Sequence, residues 1–423
     1  MSFTSSTTAS SPKRRRRSLH PPPPLNNAPP YVTMPLSSEQ LPDDLVIEIL
    51  SKLPVKSLLR FMSVCKSWNS LILSSNFVKK HLHHSSSDST LRYHRLLGRN
   101  IPGTVPGLQF SQSLLSLIDN PLQSPFDSLL SAELRSEPMV VGSCNGLICW
   151  LNFDDYPSHY AYYLNPMTRL EFKSPCISHP WGRKRWLTRF GFGYDHISDS
   201  YKTVGIYYDR RVENIEEKTF VLVYTLGSPS NSWRKMQTFP FVPFLGQPCP
   251  SGYSDWCGKL VSNTLNWLCG RPDEKGYLVV VSIDLGKETC VDILLPIVDK
   301  YELIRGPRLW VLGGCLCFSY DFDGTHFVMW KMKEYGVTES WTILLNISYL
   351  DVGFDDHFGY FPKPFIMLDT GEVLLQIKDD GVFILYNPRH KSFKYLKFQN
   401  EKIWFEGITY IESLVSPIWP LVN

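Results

Sequence analysis

The sequence lacks the long apolar segment that crosses a membrane. In 423 residues no apolar run approaches the roughly 18 residues of a transmembrane helix, and the most apolar stretch, Tyr277 to Leu285, is interrupted by Ser282 and Asp284. The first residues also lack the apolar core of a secretion signal, because they are rich in Ser and Thr and then strongly basic. We therefore expect a protein of the nucleus, the cytoplasm or both, with no membrane partner.

The ten cysteines lack the spacing of a metal site. Cys144 and Cys149 are five residues apart with no histidine nearby, and Cys315 and Cys317 are two apart, on one face of a predicted strand. In a reducing compartment such residues usually serve as small apolar core residues rather than in disulfides. We expect no metal and no cofactor.

Outside one short basic run, the sequence has no large excess of positive or negative side chains. Lys13 to Arg17 supply five consecutive positive charges, whereas the remaining residues contain 38 basic and 40 acidic side chains, a net charge of −2. A nucleic-acid-binding domain needs a basic face. The composition therefore argues against nucleic acid as a partner of the folded part.

Residues 1–36 are of low complexity. Eight of the first twelve residues are Ser or Thr, the basic run follows, and prolines occupy positions 21–24, 29 and 30. Such a segment buries too little apolar surface to offset the entropy that ordering would cost, which predicts a disordered tail. The basic run is either a nuclear localisation signal or a solvated part of that tail.

Apolar residues recur at helical spacing between residues 41 and 82. Leu45, Ile49 and Leu53 share one stripe of a first predicted helix that ends before Pro54. Two more short helices are predicted, the second with Val55, Leu58 and Leu59, the third with Val64, Trp68, Leu71 and Ile72 and with Ser63 as its N-cap. Three helices of this size form a very small core, which usually needs a partner.

From about residue 91 the pattern changes to short strands. β-branched and aromatic runs such as 221–224, 277–285 and 382–387 are separated by turn residues, and 11 of the 12 tryptophans lie at or beyond Trp150. Frequent turns between short apolar runs are typical of an all-β domain and not of alternating strands and helices.

A repeat is visible within this region. Each unit contains an apolar strand, a polar turn and a second strand, and a further hairpin-forming segment precedes it. Equivalent positions in successive units are Asn165, Thr225, Asp284, Lys331 and Asn387. Four short strands in a period of roughly 50 residues are typical of a propeller blade.

The two ends of the repeat region predict one more blade. Residues 93–97 and 108–119 have strand character, as do residues 402–411 near the C-terminus. Joining both ends in one blade would close the ring and leave no long exposed sheet edge. The sequence therefore predicts a propeller of about six irregular blades.

The helical segment resembles an F-box. The resemblance rests on Leu41-Pro42-Asp43-Asp44-Leu45, on residues 49–58 (ILSKLPVKSL) and on Val64-Cys65-Lys66-x-Trp68. In that family the module docks on the Skp-type adaptor of an SCF ubiquitin ligase, which a cullin and a RING subunit complete. The resemblance implies that Leu41 and Pro42 touch the adaptor and that the other matching residues form the packed face and its small core. The implied set is Leu41, Pro42, Leu45, Ile49, Leu50, Leu53, Pro54, Val55, Leu58, Leu59, Val64, Cys65 and Trp68. An ordinary three-helix bundle is the alternative.

The rest of the chain resembles the F-box-associated region of plant F-box/kelch-repeat proteins. The matching stretches are residues 141–147 (VGSCNGL), 164–168 (LNPMT), 190–195 (FGFGYD) and 201–204 (YKTV). The double glycine of the kelch pattern is found only at Gly313-Gly314. The resemblance implies that the β domain captures a protein substrate for ubiquitination.

Three short motifs offer enzymatic alternatives. Gly142-x-Cys144-x-Gly146 fits a cysteine form of the nucleophile elbow, but a strand and not a helix is predicted after it. Gly191-x-Gly193 lacks the third glycine of a dinucleotide fingerprint, and Asp321-x-Asp323-Gly324 lacks the later glutamate of a calcium loop. We interpret all three as turns. A propeller lectin or enzyme with a helical dimerisation segment remains the alternative function.

Two predicted loops are candidates for substrate binding. The first combines aromatic and basic residues, the types that serve as interface hot spots. It contains Trp181, Arg183, Lys184, Arg185, Trp186 and Arg189. The second, Val352 to Tyr360, is aromatic and acidic. A solvated loop is the alternative for the first.

These observations predict an α+β multidomain protein. A disordered tail at residues 1–36 precedes a small three-helix F-box at residues 37–84 and an all-β, kelch-like propeller, the F-box-associated domain, at residues 85–423. The expected function is that of a non-catalytic substrate-recognition subunit of an SCF-type E3 ubiquitin ligase. Its expected partners are the Skp-type adaptor, the cullin and RING subunits that it carries, and a protein substrate.

Overall fold

The structure, a computed structural model, describes most of the chain from residue 41 onward. The described ranges are residues 41–100, 109–120, 127–128, 139–152, 159–177, 186–209, 219–236, 239, 241–244, 257–270, 277–298, 301–353, 361–378, 382–396 and 405–418. Asp44–Asn423 form one compact unit. Within the described ranges, no helix is long and apolar enough to span a membrane.

Four short helices open the described part of the chain. They are α1 (Asp43–Ser51), α2 (Val55–Phe61), α3 (Lys66–Leu73) and α4 (Ser75–Ser86). Pro54 separates α1 from α2, as its missing N–H and its effect on the preceding residue require. The sequence predicts only three helices; α4 escapes the periodicity because lysine, histidine and serine dilute its apolar stripe.

The predicted N-cap of α3 is wrong. Cys65 occupies that position with extended backbone, and its side chain forms no capping hydrogen bond. The hydroxyl of Ser63 instead donates to the Arg60 carbonyl at 2.7 Å and closes the preceding turn. A true serine cap begins α4, where the Phe77 N–H donates to the Ser74 hydroxyl at 3.3 Å.

The rest of the described chain forms six β-sheets. Blade 1 begins with β1 (His94–Asn100), β2 (Gln109–Ser113) and β3 (Asp127–Ser128), with α5 (Leu114–Asp119) after β2. Blade 2 contains β4 (Met139–Cys144), β5 (Leu147–Asn152), β6 (Tyr160–Asn165) and β7 (Leu170–Lys173). Blade 3 contains β8 (Trp186–Asp195), β9 (Ser200–Asp209), β10 (Thr219–Thr225) and β11 (Arg234–Lys235).

The second half of the ring continues this order. Blade 4 contains β12 (Val242–Pro243), β13 (Lys259–Val261), β14 (Thr264–Gly270), β15 (Leu278–Asp284) and β16 (Cys290–Leu294). Blade 5 contains β17 (Ile304–Leu312), β18 (Cys315–Phe322), β19 (His326–Met332) and β20 (Trp341–Ser348), with 3-10 turns at Tyr301–Leu303 and Thr338–Ser340. Blade 6 contains β21 (Lys363–Met367), β22 (Val373–Lys378), β23 (Val382–Asn387) and β24 (Ser392–Leu396), and the last strand, β25 (Phe405–Ile411), returns to blade 1.

The six sheets are arranged as a closed ring. One strand of each blade contacts the corresponding strands of the blades on both sides, in the order β25, β4, β8, β13, β17, β21 and back to β25. These are the inner strands, and the other strands of each blade follow outward with antiparallel pairing. The six-bladed propeller predicted from the repeat is therefore confirmed.

The repeat in the sequence reflects one turn that recurs after the third strand of several blades. The side-chain oxygens of Asn165, Asp284 and Asn387, each the last residue of the third strand of its blade, accept hydrogen bonds from the N–H groups two and three residues later. Such Asx turns redirect the chain without help from another strand. They explain why Asn or Asp recurs at the equivalent positions of the repeat.

Blade 1 is built from both ends of the propeller, as predicted. β25 is the inner strand and pairs antiparallel with β1, so that Leu97 lies opposite Ile408. The Arg95 guanidinium, almost buried between these strands, contacts the Glu412 carboxylate at 3.1 Å and donates to the Ser111 hydroxyl at 2.6 Å. A buried ion pair therefore links two segments that are far apart in the sequence.

One predicted strand of this blade is partly wrong. Only Gln109–Ser113 of the stretch 108–119 forms a strand, and Leu114–Asp119 forms the helix α5. The Ser113 hydroxyl accepts from the Ser116 N–H at 3.4 Å, and the buried side chains of Leu114 and Leu117 pack against blade 6. Leu114 and Leu117 are three residues apart, which suits one face of a helix.

The four N-terminal helices share their apolar core with the propeller. Leu50, Val55, Leu58, Ile72 and Phe77 belong to one buried cluster with residues of blades 2 and 3. The helices are too few and too short to enclose these side chains themselves. The propeller therefore completes the core of the helical bundle.

The ion pair in blade 1 provides a test of ring closure. Glu412→Gln leaves the Arg95 guanidinium nearly buried without its carboxylate, which typically costs about 3–5 kcal/mol. We therefore expect the urea midpoint of the full chain to fall markedly. Asp323→Asn is the matched control, because the Arg305–Asp323 pair is 57% and 50% exposed and should contribute less than about 1 kcal/mol. Equal shifts in both variants would contradict this role for Glu412.

Candidate functional sites on the helices and the propeller

The helical bundle leaves large apolar side chains exposed on α1 and before α3. Leu45 and Ile49 lie one helical turn apart on α1 and remain 50% and 53% exposed. Val64, before α3, is 61% exposed. We call Leu45, Ile49 and Val64 the apolar docking set. Side chains of this kind within a small bundle are typical of a surface that a partner protein covers.

The remaining residues implied by the F-box resemblance have different roles. Leu50, Val55 and Leu58 are buried and belong to the core. The other half-buried residues of the set, Leu53, Leu59 and Trp68, pack against that core, and Pro54 is half-buried. Leu41, Pro42 and Cys65 are exposed. The structure thus separates residues that can contact a partner from residues that support the surface.

Charged groups flank the exposed apolar residues of α1. The Glu48 carboxylate contacts the ammonium groups of Lys52 and Lys80, both at 2.8 Å. The hydrogen bond from Lys52, followed by that from Lys80, lowers the pKa of Glu48 to about 2. Lys80 belongs to α4, so this pair of contacts joins the first and last helices of the bundle.

Polar contacts fix the bundle to the propeller. The Tyr93 hydroxyl, just before β1, donates to the Lys52 carbonyl at 2.7 Å. The Lys79 ammonium of α4 contacts the Asp199 carboxylate, in the turn between β8 and β9, at 2.6 Å. The His81 imidazole lies 3.0 Å from the Leu53 carbonyl, and burial lowers its pKa, which favours the neutral ring. The sequence contains no pattern that predicts these three contacts, because each joins distant segments.

Most of the first predicted substrate loop lies outside the described residues. This applies to Trp181, Arg183, Lys184 and Arg185; the structure describes the backbone of Trp186 in β8 but not its side chain. Arg189 lies further along β8 and is half-buried, and its guanidinium donates to the carbonyls of Thr188 at 3.0 Å and Phe244 at 3.2 Å. Arg189 is therefore part of the junction between blades 3 and 4 and not of a loop tip.

The second predicted loop is described only at its beginning. Val352 is buried and Gly353 exposed, and residues 354–360 lie outside the described ranges. The Tyr395 hydroxyl of blade 6 donates to the Val352 carbonyl at 2.9 Å. The loop thus begins at the junction of blades 5 and 6.

Strand direction places the described start of each predicted loop at the face opposite the helices. In a ring of equivalent blades the inner strands run in the same direction, and the parallel bridge between Gly191 and Gly258 shows this for blades 3 and 4. The connections β7–β8 and β20–β21 each join an outer strand to the next inner strand and therefore begin at the same face. The turn β8–β9, which Lys79 contacts, lies at the other end of an inner strand. The helices thus occupy one face, and both connections start from the other.

The enzymatic motif at Cys144 is a turn. Cys144 ends β4, β5 follows directly, and burial raises the pKa of its thiol to about 12, so that a reactive thiolate is disfavoured. Asn145 and Gly146 adopt positive φ angles of 52° and 83° between the strands. A side chain at Gly146 would also overlap Ser413, so the glycine is required by the close approach of the C-terminal segment.

The other two motifs are structural as well. A Cβ at Gly191 would lie 2.7 Å from the Trp267 ring, so this glycine allows blades 3 and 4 to pack closely. The Gly324 N–H donates to the Asp321 carboxylate at 2.8 Å in the turn between β18 and β19. Among the described residues there is no cluster of His, Cys, Asp and Glu that could hold a metal ion.

Comparison with known proteins agrees with both parts of the architecture. The F-box domain profile matches residues 38–80, and the profile of the F-box associated beta propeller domain matches residues 108–253. Among solved structures, TolB from Acinetobacter baumannii is a structural neighbour with 9% sequence identity. The match covers 79% of this chain and 73% of TolB. Its TM-score of 0.46 is too low to support an argument.

Several proteins of Arabidopsis thaliana are similar over most of their length. F-box protein At3g07870 is 29% identical, over 89% of this chain and 92% of its own length. F-box/kelch-repeat protein At3g23880 is 28% identical, over 90% and 97%, and F-box protein CPR1 is 27% identical, over 89% and 88%. The chain is therefore similar to an F-box domain and then to an F-box-associated β-propeller domain, and over most of its length it is similar to Arabidopsis F-box proteins.

Proposed function

We propose that this protein is the substrate-recognition subunit of an SCF-type E3 ubiquitin ligase. The observation that carries the proposal is the apolar docking set, Leu45, Ile49 and Val64, left exposed on a bundle that matches the F-box profile. The Skp-type adaptor would cover this surface, and the cullin and RING subunits would join through the adaptor. The propeller would bind a protein substrate.

The mechanism of such a subunit is proximity. Holding the substrate and the ubiquitin-loaded enzyme in one complex raises the effective concentration of a substrate lysine near the reactive thioester. This gain depends on a defined spacing between the two binding surfaces. The shared core and the Lys79–Asp199 contact support a fixed position of the bundle on the propeller.

For the substrate, the open face of the propeller is the proposed binding surface. Both predicted loops start from the face that the helices leave free, and the first, with Trp181, Arg183 and Trp186, has the residue types of interface hot spots. The basic run Lys13 to Arg17 is proposed as a nuclear localisation signal, so that the complex would act in the nucleus, the cytoplasm or both.

Adaptor binding is tested by shortening the exposed apolar side chains of α1. Leu45→Ala together with Ile49→Ala should weaken binding of a purified Skp-type adaptor about 100-fold, because each side chain loses roughly 1–2 kcal/mol of apolar burial. Calorimetry measures the affinity, and circular dichroism checks that the fold persists. Ile343→Ala on β20 is the matched control, since Ile343 is 55% exposed on the propeller. Unchanged adaptor affinity in the double variant would contradict the proposal.

Substrate binding is tested in cells with variants of the first predicted loop. Affinity purification with the proteasome blocked, comparing the intact chain with a chain lacking residues 41–82, identifies proteins that accumulate on the receptor. Replacing Trp181, Arg183 and Trp186 by alanine should then prolong the substrate's half-life severalfold and leave adaptor binding intact. A substrate that is degraded as fast as before would place the substrate site elsewhere, and loss of both activities would indicate misfolding.

A further inference from the structure

A polar cavity lies between the outer strands of blades 5 and 6. Its volume is about 150 Å³, and its polar lining residues are His326, Asn346, Ser348, Asp351, Tyr386 and Lys391. They come from the start of β19, the end of β20, the chain that follows it, and the end and turn of β23. Buried Ile347 and Val352 complete the lining from the blade 5 side.

The polar groups of this cavity do not satisfy one another. The side chains of Asn346, Ser348, Asp351, Tyr386 and Lys391 form no hydrogen bond or ion pair with any other described residue. Donors and acceptors therefore converge on the same space without partners in the described part of the chain. Convergent polar groups of this kind are what orients a small ligand in a binding site.

Tyr386 distinguishes this cavity from an ordinary surface cleft. Its side chain lines the cavity, and the residue keeps only 5% relative exposure. Burial, and after it the nearby Asp351 carboxylate, raises the pKa of Tyr386, so the phenol remains protonated and able to donate. The phenol has no hydrogen-bond partner among the described residues, so water or a ligand in the cavity can accept its hydrogen bond.

The two charges of the cavity define the chemistry of a ligand. The Asp351 carboxylate and the Lys391 ammonium have opposite charges, yet they form no ion pair with each other. A molecule between them would present a cation to Asp351 and an anion to Lys391. Cavities of about 150 Å³ hold molecules as small as benzene, so the ligand has about six to nine non-hydrogen atoms.

We propose that this cavity binds a small free α-amino acid. Its ammonium group would contact Asp351, its carboxylate would contact Lys391, and Tyr386, Asn346 and Ser348 would hydrogen-bond the same two groups or a short polar side chain. This site is separate from the apolar docking set, and the inference stands whether or not the chain acts in a ubiquitin ligase.

Calorimetric titration of the purified full-length chain with each of the twenty free L-amino acids tests the proposal. We expect saturable binding of at least one small amino acid, and no binding of its N-acetyl amide, which lacks both charges, or of glycerol. Asp351→Asn and Lys391→Met should each weaken binding about tenfold or more, because each removes one charge-assisted hydrogen bond. Binding of the uncharged amide at equal strength, or no binding of any amino acid, would overturn the proposal.

Two further variants separate binding from folding. Tyr386→Phe should weaken binding severalfold without lowering the thermal midpoint of the free protein, because the hydroxyl has no protein partner to lose. Arg169→Met is the matched control for Lys391→Met, since Arg169 occupies the equivalent position, also with positive φ, in the corresponding turn of blade 2. Equal loss of binding in the Arg169 control and the Lys391 variant would contradict a site at this cavity.

Discussion

The pairing of β25 with β1 is the interaction on which the rest of the molecule depends. Each of blades 2 to 6 is formed from consecutive strands, whereas blade 1 obtains its inner strand from the other end of the chain. Bringing these ends together costs chain entropy, and this cost arises before the contacts between the two strands can form. The Arg95–Glu412 pair and the hydrogen bonds from the Asn165 amide to the carbonyls of Ser413 and Val415 offset this cost on both sides of the junction.

The helical bundle depends on this closure in turn. Its buried residues, among them Val55 and Ile72, are covered by blades 2 and 3, and Tyr93 reaches the bundle from the segment that enters β1. The bundle and the propeller are thus distinct in sequence but share one core. The exposed residues Leu45 and Ile49 owe their exposure to the same arrangement, since the opposite side of α1 is used for packing.

The sequence predicts what is periodic or local. Six blades and the blade formed from both ends follow from the spacing of the repeat, and the F-box follows from a motif with several fixed spacings. The sequence pattern does not predict two of the helices, α4 and α5. In α4 polar residues mask the apolar stripe, and in α5 six residues give too short a window for periodicity to distinguish a helix from a strand.

Side-chain exposure is the other property that the sequence could not provide. The implied adaptor set contains Leu50 and Ile49 side by side, and the structure buries the first and exposes the second. That difference depends on where the propeller lies, which no local pattern encodes. The same holds for the cavity at Tyr386, whose lining residues come from two blades and four separate elements.

Blade 1 also determines when the protein becomes complete during its synthesis. The four helices leave the ribosome before the propeller. Among the described strands, β1 to β24 are all made before β25. At ordinary translation rates this interval is on the order of tens of seconds. Throughout this interval the segment that matches the F-box profile exists on a chain whose ring is open, and a transcript that ends before Phe405 would yield only that open form. Because β25 follows all the other described strands, the ring closes only after this one strand has been made.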